Sequence, residues 1–265
     1  TSLKTVAAIQ NTDGKWVATL DVNTKDWTVG AHNLTATFAG NHELDTSTTN
    51  EVTVTVNEVY AVYDEGSKKF YAATADDHTK PTTTEISDKK TINHLYIKGE
   101  SVPEIFIGDW NGTENTTLKT VTCADTVTKI GNRAFYVCKE LTSVAMPKVT
   151  SIGDYAFHSC TKLASVEMPS AISIGDRAFY NCKGLKSIVM PNVTSISNNA
   201  FYQCANLTSV AMPSATSIGE RAFYDCKGLK SIAMPNVTSI SEKAFYKCTG
   251  LASVTMPKVT AIGQE

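Results

Sequence analysis

The chain has 265 residues, of which 42% are hydrophobic and 19% charged, with a formal net charge of −2. This composition is typical of a folded chain that forms one large or two ordinary domains. Because no basic patch stands out, we expect no nucleic-acid partner and no binding to anionic membrane surfaces. No apolar run is long enough to span a bilayer, so we expect no membrane-spanning segment in this chain.

The first 59 residues contain short runs in which polar and apolar residues alternate. These runs are KWVATLDV (15–22), HNLTATFAG (32–40) and EVTVTVNEV (51–59), with turn formers between them. Thr, Val and aromatic residues in alternation favour an antiparallel sheet. The later runs also resemble the last strands of bacterial Ig-like repeats in surface proteins. That resemblance covers about half a domain and implies a partial Ig-like β module over residues 1–59, which either pairs with residues 60–90 or belongs to a divided domain.

Residues 60–91 are predicted to be a linker or a β region of uncertain type. Their second half, ADDHTKPTTTEISDKK (75–90), is polar and rich in turn formers. Residues 92–117 begin with INHLYI, whose I-x-x-L-x-I spacing is also that of the units that follow. We interpret residues 92–117 as a degenerate capping repeat, because the terminal repeats of solenoids are usually atypical.

From residue 118 onward the sequence repeats with a period of 22 residues, apart from one extra residue in the first unit. Every Met in the chain is followed by Pro, and AFYNCKGLKSIVMPNVTSIS (178–197) returns with two changes at 222–241. One column of the repeat holds Cys138, Cys160, Cys182, Cys204, Cys226 and Cys248. A period of about 20 to 29 residues with L-x-x-L-x-L-like spacing is typical of a leucine-rich solenoid. The recurrence of this segment after 44 residues indicates that a block of two units was duplicated.

The apolar columns of one unit predict which side chains face the core. Leucine and valine alternate with polar residues as a strand with one buried face requires, and the proline after methionine ends the strand. A second extended piece follows, and one helical or 3₁₀ turn then reverses the chain. In the unit 141–160 the residues expected to point inward are Leu141, Val144, Met146, Val149, Ile152, Ala156, Phe157 and Cys160. One unit cannot bury these groups alone, whereas stacked units bury them in a continuous core.

The columns L-x-x-[IV]-x-[LM]-P, S-I-G, A-F and C resemble the BspA-like leucine-rich repeats, also called the Treponema pallidum type. The resemblance covers residues 118–265; Met replaces the usual Leu before Pro, and Ser197 and Ser241 replace the Gly of S-I-G. It implies a β-rich α/β solenoid over residues 92–265, a right-handed superhelix of 22-residue units. Because the sequence stops at AIGQE, halfway through a unit, we expect either a further capping piece or a shortened chain.

Two columns of the repeat are candidate binding surfaces. The face of the first strand, expected to be concave, carries Ser143, Ser165, Ser187, Ser209, Ser231 and Ser253. Small, mostly uncharged residues run beside these serines, which favours an open, hydrogen-bonding surface for a protein or a glycan. The residue after each Phe is expected to point outward, which gives a column of Tyr136, Tyr180, Tyr202, Tyr224 and Tyr246, with His158 among them. That column either binds sugars or a partner, or covers the rims of neighbouring rings.

The cysteines and histidines show no spacing typical of a metal or catalytic site. The cysteines lack the C-x₂-C spacing of a metal site, so we interpret them as a buried ladder of thiols, with a chain of disulfides or a metal stripe as the alternatives. The five histidines have no ligand spacing, and no catalytic or phosphate-binding motif occurs. We therefore predict no cofactor, no metal and no catalytic residue. An enzymatic function would need a site in residues 60–117.

The resemblance implies an adhesion protein of the bacterial cell surface. Its partner would be an extracellular protein or glycan, for example in the host matrix or on a host cell, and the chain is predicted to be a monomer. The alternative is a structural spacer that holds other domains away from the cell wall. The chain opens at TSLKTVAAIQ without an initiator Met or a signal peptide, which leaves open a cytosolic fragment or an exported chain whose leader was removed.

Overall fold

The computed structural model describes residues 59–73, 77, 79–87, 92–102 and 117–264, together with four strands nearer the start of the chain. The chain divides into two compact units, residues 1–58 and 59–265. In the first unit, β1 (Ile9–Gln10) pairs with β2 (Trp16–Val17), and β3 (Gly30–Ala36) pairs with β4 (Asn50–Val56). Both pairs are antiparallel, as the alternating runs predict. The assignment of this unit to an Ig-like module stays a prediction.

The second unit is a β-solenoid whose strands are short. In chain order they are β5 (Tyr60–Asp64), β6 (Lys69–Ala73), β7 (His94–Lys98), β8 (Ser101–Val102), β9 (Thr120–Cys123), β10 (Lys129–Ile130), β11 (Ser143–Ala145), β12 (Ser151–Ile152), β13 (Ser165–Glu167), β14 (Ser173–Ile174), β15 (Ser187–Val189), β16 (Ser195–Ile196), β17 (Ser209–Ala211), β18 (Ser217–Ile218), β19 (Ser231–Ala233), β20 (Ser239–Ile240), β21 (Ser253–Thr255) and β22 (Ala261–Ile262).

The strands of successive turns stack in parallel on two sides of the solenoid. One side is an eight-stranded sheet in the order β22-β20-β18-β16-β14-β12-β10-β8. The other side begins with a six-stranded sheet, β13-β11-β9-β7-β5-β6, in which only β6 runs antiparallel to its neighbour. The pairs β15-β17 and β19-β21 continue this second side as separate ladders. Residues 60–73 therefore belong to the same sheet as the first repeats.

The core lies between the two sheets and the turns that close each unit. All eight residues of the unit 141–160 that the sequence places inward are at most 2% exposed, which confirms their predicted orientation. The phenylalanine rings stack through the core, with Phe157 and Phe179 centroids 5.3 Å apart and Phe179 and Phe201 centroids 5.4 Å apart. Equivalent residues thus bury one another from turn to turn, as a repeat that cannot bury its own apolar face requires.

The predicted helical or 3₁₀ turn is wrong, because no helix occurs among the described residues 59–264. Residues 153–160 form a run of turns in which alternate N–H groups bond in different directions. The N–H of Phe157 donates to the Ala178 carbonyl of the next unit at 2.8 Å, whereas the N–H of Cys160 donates back to the Phe157 carbonyl at 3.2 Å. Since every second amide bonds to the neighbouring unit, a continuous helix cannot form, and the solenoid is all β rather than α/β.

Two residues in each closing turn have a left-handed backbone conformation. Val137 lies at φ 57°, and the equivalent Ser159, Asn181 and Asp225 lie at φ 59°, 58° and 60°. Asn and Asp tolerate this region, whereas a β-branched residue there is strained. Val137 is therefore the residue of this column least suited to its backbone.

We expect Val137→Asn to stabilise the protein by about 1 kcal/mol. Asn181 occupies the same column with the same backbone, so the substitution brings in a residue the repeat already uses. Urea unfolding at neutral pH measures the change. Asn181→Val is the matched reverse substitution and is expected to destabilise by a similar amount; a stabilising Asn181→Val would contradict the backbone argument.

Candidate functional site

The six serines of the first strand column lie on the outer face of their strands, which we call the serine face. Ser143 is half-buried and the other five are exposed. Ser143 pairs in register with Ser165, Ser187 with Ser209, and Ser231 with Ser253. Because neighbouring parallel strands lie about 5 Å apart, the hydroxyl groups of each pair lie side by side on this face. Except at Val254 of the last unit, the apolar side chains that these strands place beneath the face are at most 9% exposed.

A second row on the serine face lies two residues after each serine. Its members are Ala145, Glu167, Val189, Ala211, Ala233 and Thr255. Val189, the largest apolar member, is 56% exposed. A shallow depression of about 520 Å³ lies beside it, and its lining includes Ala145, Pro147, Glu167, Pro169 and Val189. The row is therefore mainly small and apolar, with one carboxylate.

The ladder of backbone hydrogen bonds on the serine face is interrupted twice. The strands β13 and β15 belong to different sheets, and so do β17 and β19. Both interruptions precede a strand that follows the sequence GLK, at residues 184–186 and 228–230. The sequence interpretation did not predict these breaks. The strand after each break lies in the segment that recurs after 44 residues, so this recurrence could have indicated them.

The tyrosine stripe, defined as Tyr136, Tyr180, Tyr202, Tyr224 and Tyr246 with His158, runs along the closing turns. Its rings stack on one another, with centroids 4.8 Å apart for Tyr136 and His158 and 4.6 Å apart for Tyr180 and Tyr202. Only Tyr246 reaches 39% exposure, and its ring is tilted by 31° against that of Tyr224. Most ring faces are thus covered by neighbouring rings, and the stripe presents ring edges.

His158 is the one histidine in the tyrosine stripe. It stacks between Tyr136 and Tyr180, and its Nδ1 has no hydrogen-bond partner among the described residues. Burial of the ring, assisted by the positive charge of Arg177, lowers the pKa of His158 to about 4. Arg177 is held nearby because its Nη1 donates to the Tyr155 hydroxyl at 2.7 Å. The neutral form of His158 is therefore the one that the fold accommodates.

The depressed pKa of His158 predicts a loss of stability in acid. The unfolded chain takes up a proton on His158 near pH 6.5, whereas the folded chain does so only near pH 4, so the stability that this residue contributes is complete above pH 6.5 and is lost as the pH falls towards 4. The full shift corresponds to roughly 3 kcal/mol, and since solvent reaches part of the ring we expect about 1–2 kcal/mol.

We expect His158→Tyr, which gives this column its common residue, to remove that acid-induced loss. Urea unfolding at pH 7.5 and pH 4.5 measures it for the wild type and the variant. Other groups that titrate in this window contribute equally to both proteins, so the difference between the two pH dependences isolates His158. Identical pH dependences would contradict the assignment.

The cysteine column lies inside the solenoid. All seven cysteines are free thiols, and Cys248 alone is partly exposed. The thiol of Cys160 donates to the Phe135 carbonyl at 3.1 Å, and Cys182 and Cys204 make the same bond one unit and two units on. These bonds bind each unit to its neighbour, which agrees with the interpretation of the column as packed thiols.

Among the described residues we find no other cluster of side chains typical of a catalytic or metal site. Among them, no three His, Cys, Asp or Glu side chains converge on a position for a metal ion. A membrane-crossing helix is likewise absent from the part of the chain that the structure describes. Of the region 60–117, to which the sequence confines an enzymatic site, residues 74–76, 78, 88–91 and 103–116 lie outside the described residues.

Comparisons with known proteins identify relatives of the solenoid. A model of the BspA type leucine rich repeat region matches residues 111–215 and 150–265, with six copies. A comparison with curated proteins gave no match. Among solved structures, a leucine rich cell surface protein from Faecalibacterium prausnitzii A2-165 is 29% identical, with a TM-score of 0.57, over 75% of this chain and 55% of that one. The chain thus spans about half the length of that relative.

The leucine-rich repeat protein of T. pallidum is a second relative of known structure. It is 26% identical with a TM-score of 0.52, and the match covers 64% of this chain and 78% of that one. Both relatives share the stacked repeat, and the name of the first places it at the cell surface.

Proposed function

Because this chain belongs to the BspA-type leucine-rich repeat family, we propose that it is a non-catalytic binding protein of the bacterial cell surface. Its partner is an extracellular protein or glycan, and it binds as a monomer. The observation that carries the proposal is the serine face, an outward row of hydroxyl groups that are in register within three pairs of strands and lie over a buried apolar core.

The serine face is suited to binding because it is already ordered before a partner arrives. Serine side chains lose little conformational entropy on binding, and the strands beneath them are fixed by ladders and by the core. Each hydroxyl can donate and accept a hydrogen bond, so a partner with alternating donors and acceptors meets a repeated pattern. Many weak contacts spread over several units then add up to useful affinity.

We place the partner on the serine face rather than on the tyrosine stripe. Aromatic recognition of sugars uses ring faces, and the stacking at 4.5–4.6 Å between Tyr180, Tyr202 and Tyr224 occupies those faces. The hydroxyl edges of the stripe and the more exposed Tyr246 remain the second candidate surface. The same continuous stacking also favours the alternative function, a stiff spacer that presents other domains.

A binding screen tests the proposed function. The purified chain is applied at physiological salt to a panel of matrix proteins, mucins and glycans, and binding is followed by biolayer interferometry up to about 10 µM, the range of transient surface recognition. Saturable binding to a member of the panel supports a recognition module. Absence of binding across the panel would contradict the adhesion function and favour the spacer.

A further inference from the structure

The depression on the serine face lies where the backbone ladder is broken between β13 and β15. In the intact ladders on either side, the N–H of Met146 donates to the Glu167 carbonyl at 2.9 Å and the N–H of Met190 donates to the Ala211 carbonyl at 3.0 Å. No such bond joins Met168 to Val189 among the described residues. The Val189 carbonyl, on an exposed residue, therefore lacks the donor that its counterparts have.

The chemistry of the depression is apolar with a single charge. Its walls include Ala145, Pro147, Pro169 and Val189, and Glu167 is the only charged residue in its lining. The exposed carboxylate of Glu167 makes no ion pair or hydrogen bond with another described residue. Lys186, next in the chain to Ser187, is not part of the lining. The site thus offers aliphatic contact together with free oxygen acceptors.

An apolar wall beside a carboxylate and an unused carbonyl matches a long cationic side chain. Lys and Arg place an aliphatic stem on apolar surface and keep the charged end in a polar environment. An ammonium or guanidinium group has only donors, and both polar groups at the break are acceptors. A neutral sugar hydroxyl would form no ion pair with Glu167.

We infer that the depression receives a lysine or arginine side chain from an extended segment of a partner protein. The inference rests on the proposed binding function and specifies it further, because it selects a protein over a glycan at this position. The partner's main chain lies along the row of serines, and its basic side chain enters beside Val189 and pairs with Glu167.

The second break in the ladder provides a control within the same chain. There Ala211 takes the position of Glu167, and Ala233 takes that of Val189, with the same interruption between β17 and β19. The backbone feature is therefore repeated without the carboxylate or the larger apolar side chain. A basic side chain is expected to bind at the first break and not at the second.

The test uses two fluorescein-labelled heptapeptides, Thr-Val-Thr-Lys-Thr-Val-Thr and the same peptide with norleucine in place of lysine. Fluorescence anisotropy at low salt measures their binding to the complete chain. We expect the lysine peptide to bind about three- to fivefold more tightly than the norleucine peptide, as for a solvent-accessible ion pair. This preference should disappear in about 0.5 M salt, where charges are screened.

Substitutions test whether Glu167 causes the preference for the lysine peptide. Glu167→Gln should abolish the preference for lysine, whereas Glu140→Gln, which removes an exposed acid that pairs with Lys162 elsewhere, should retain it. The double variant Ala211→Glu with Ala233→Val should add a second binding site. All the substituted positions are surface positions, and circular dichroism checks that each variant is folded.

The inference is overturned if neither peptide binds, if both bind equally, or if Glu167→Gln retains the preference for lysine. Failure of the proposed function is a different result, since it would appear as absence of any partner in the screen of matrix proteins, mucins and glycans. A partner found in that screen and bound equally by Glu167→Gln would leave the function intact and remove this inference alone.

Discussion

Phe201→Ala is expected to lower the free energy of unfolding by about 3–5 kcal/mol. Phe201 is completely buried, and its ring stacks on Phe179 at 5.4 Å and on Phe223 at 5.3 Å. Truncation removes the contacts on both sides of the ring and leaves a cavity between two rigid units. The neighbouring units are held in register by backbone ladders, so they cannot collapse into the space.

Urea unfolding, followed by far-ultraviolet circular dichroism, measures the loss. Ser209→Ala, on the exposed serine face eight positions further along the chain, is the matched control and should change stability by less than about 0.5 kcal/mol. A loss below about 1 kcal/mol for Phe201→Ala would mean that the phenylalanine column does not form the core. Because a solenoid can unfold unit by unit, the slope of the transition is compared for the two variants as well.

The thiols of the folded chain are expected to differ in reactivity by several orders of magnitude. Burial raises the pKa of Cys204 to about 12, so only about one molecule in 10,000 carries the thiolate there at pH 8. Cys248 lies at the last complete closing turn and is partly exposed, and a hydrogen bond from Cys226 lowers its pKa. Cys248 should therefore react first and Cys204 only as fast as the solenoid opens.

Reaction with an aromatic disulfide reagent, with mass spectrometry to locate the modified residues, measures this order. In denaturant and without reductant, the six column cysteines should all titrate as free thiols. Faster modification of Cys204 than of Cys248 in the native state would contradict the packing. A shortfall of free thiols in denaturant would revive the alternative of disulfides between neighbouring units.

The sequence predicts the repeated part of the fold well because equivalent residues have equivalent surroundings. The position of Phe157 in one unit and of Phe179 in the next is decided by the same neighbours, so the period alone identifies the inward columns. The outward orientation of Ser187 follows from strand alternation in the same way.

Other features depend on contacts between neighbouring units, which the columns of the sequence repeat do not show. The closing turn resembles a short helix in sequence, but the N–H of Phe157 donates to the Ala178 carbonyl of the next unit, and the helix does not form. The breaks before β15 and β19 are absent from the consensus, because the consensus is the same for the paired and the unpaired strands. The pKa of His158 likewise depends on burial between two tyrosine rings and on the nearby Arg177.

Recognition of a partner by the serine face is tested by paired variants of the two sheets. One variant carries Ser187→Glu, Ser209→Glu and Ser231→Glu on the serine face. The other adds the same charge to exposed threonines that directly precede β16, β18 and β20 of the opposite sheet, as Thr194→Glu, Thr216→Glu and Thr238→Glu. We measure the affinity of both for a partner found in the screen, after melting curves show that both are folded. We expect a loss of about tenfold or more for the serine variant and a change within about twofold for the threonine variant. Equal affinities for the two variants, or a larger loss for the threonine variant, would contradict recognition by the serine face.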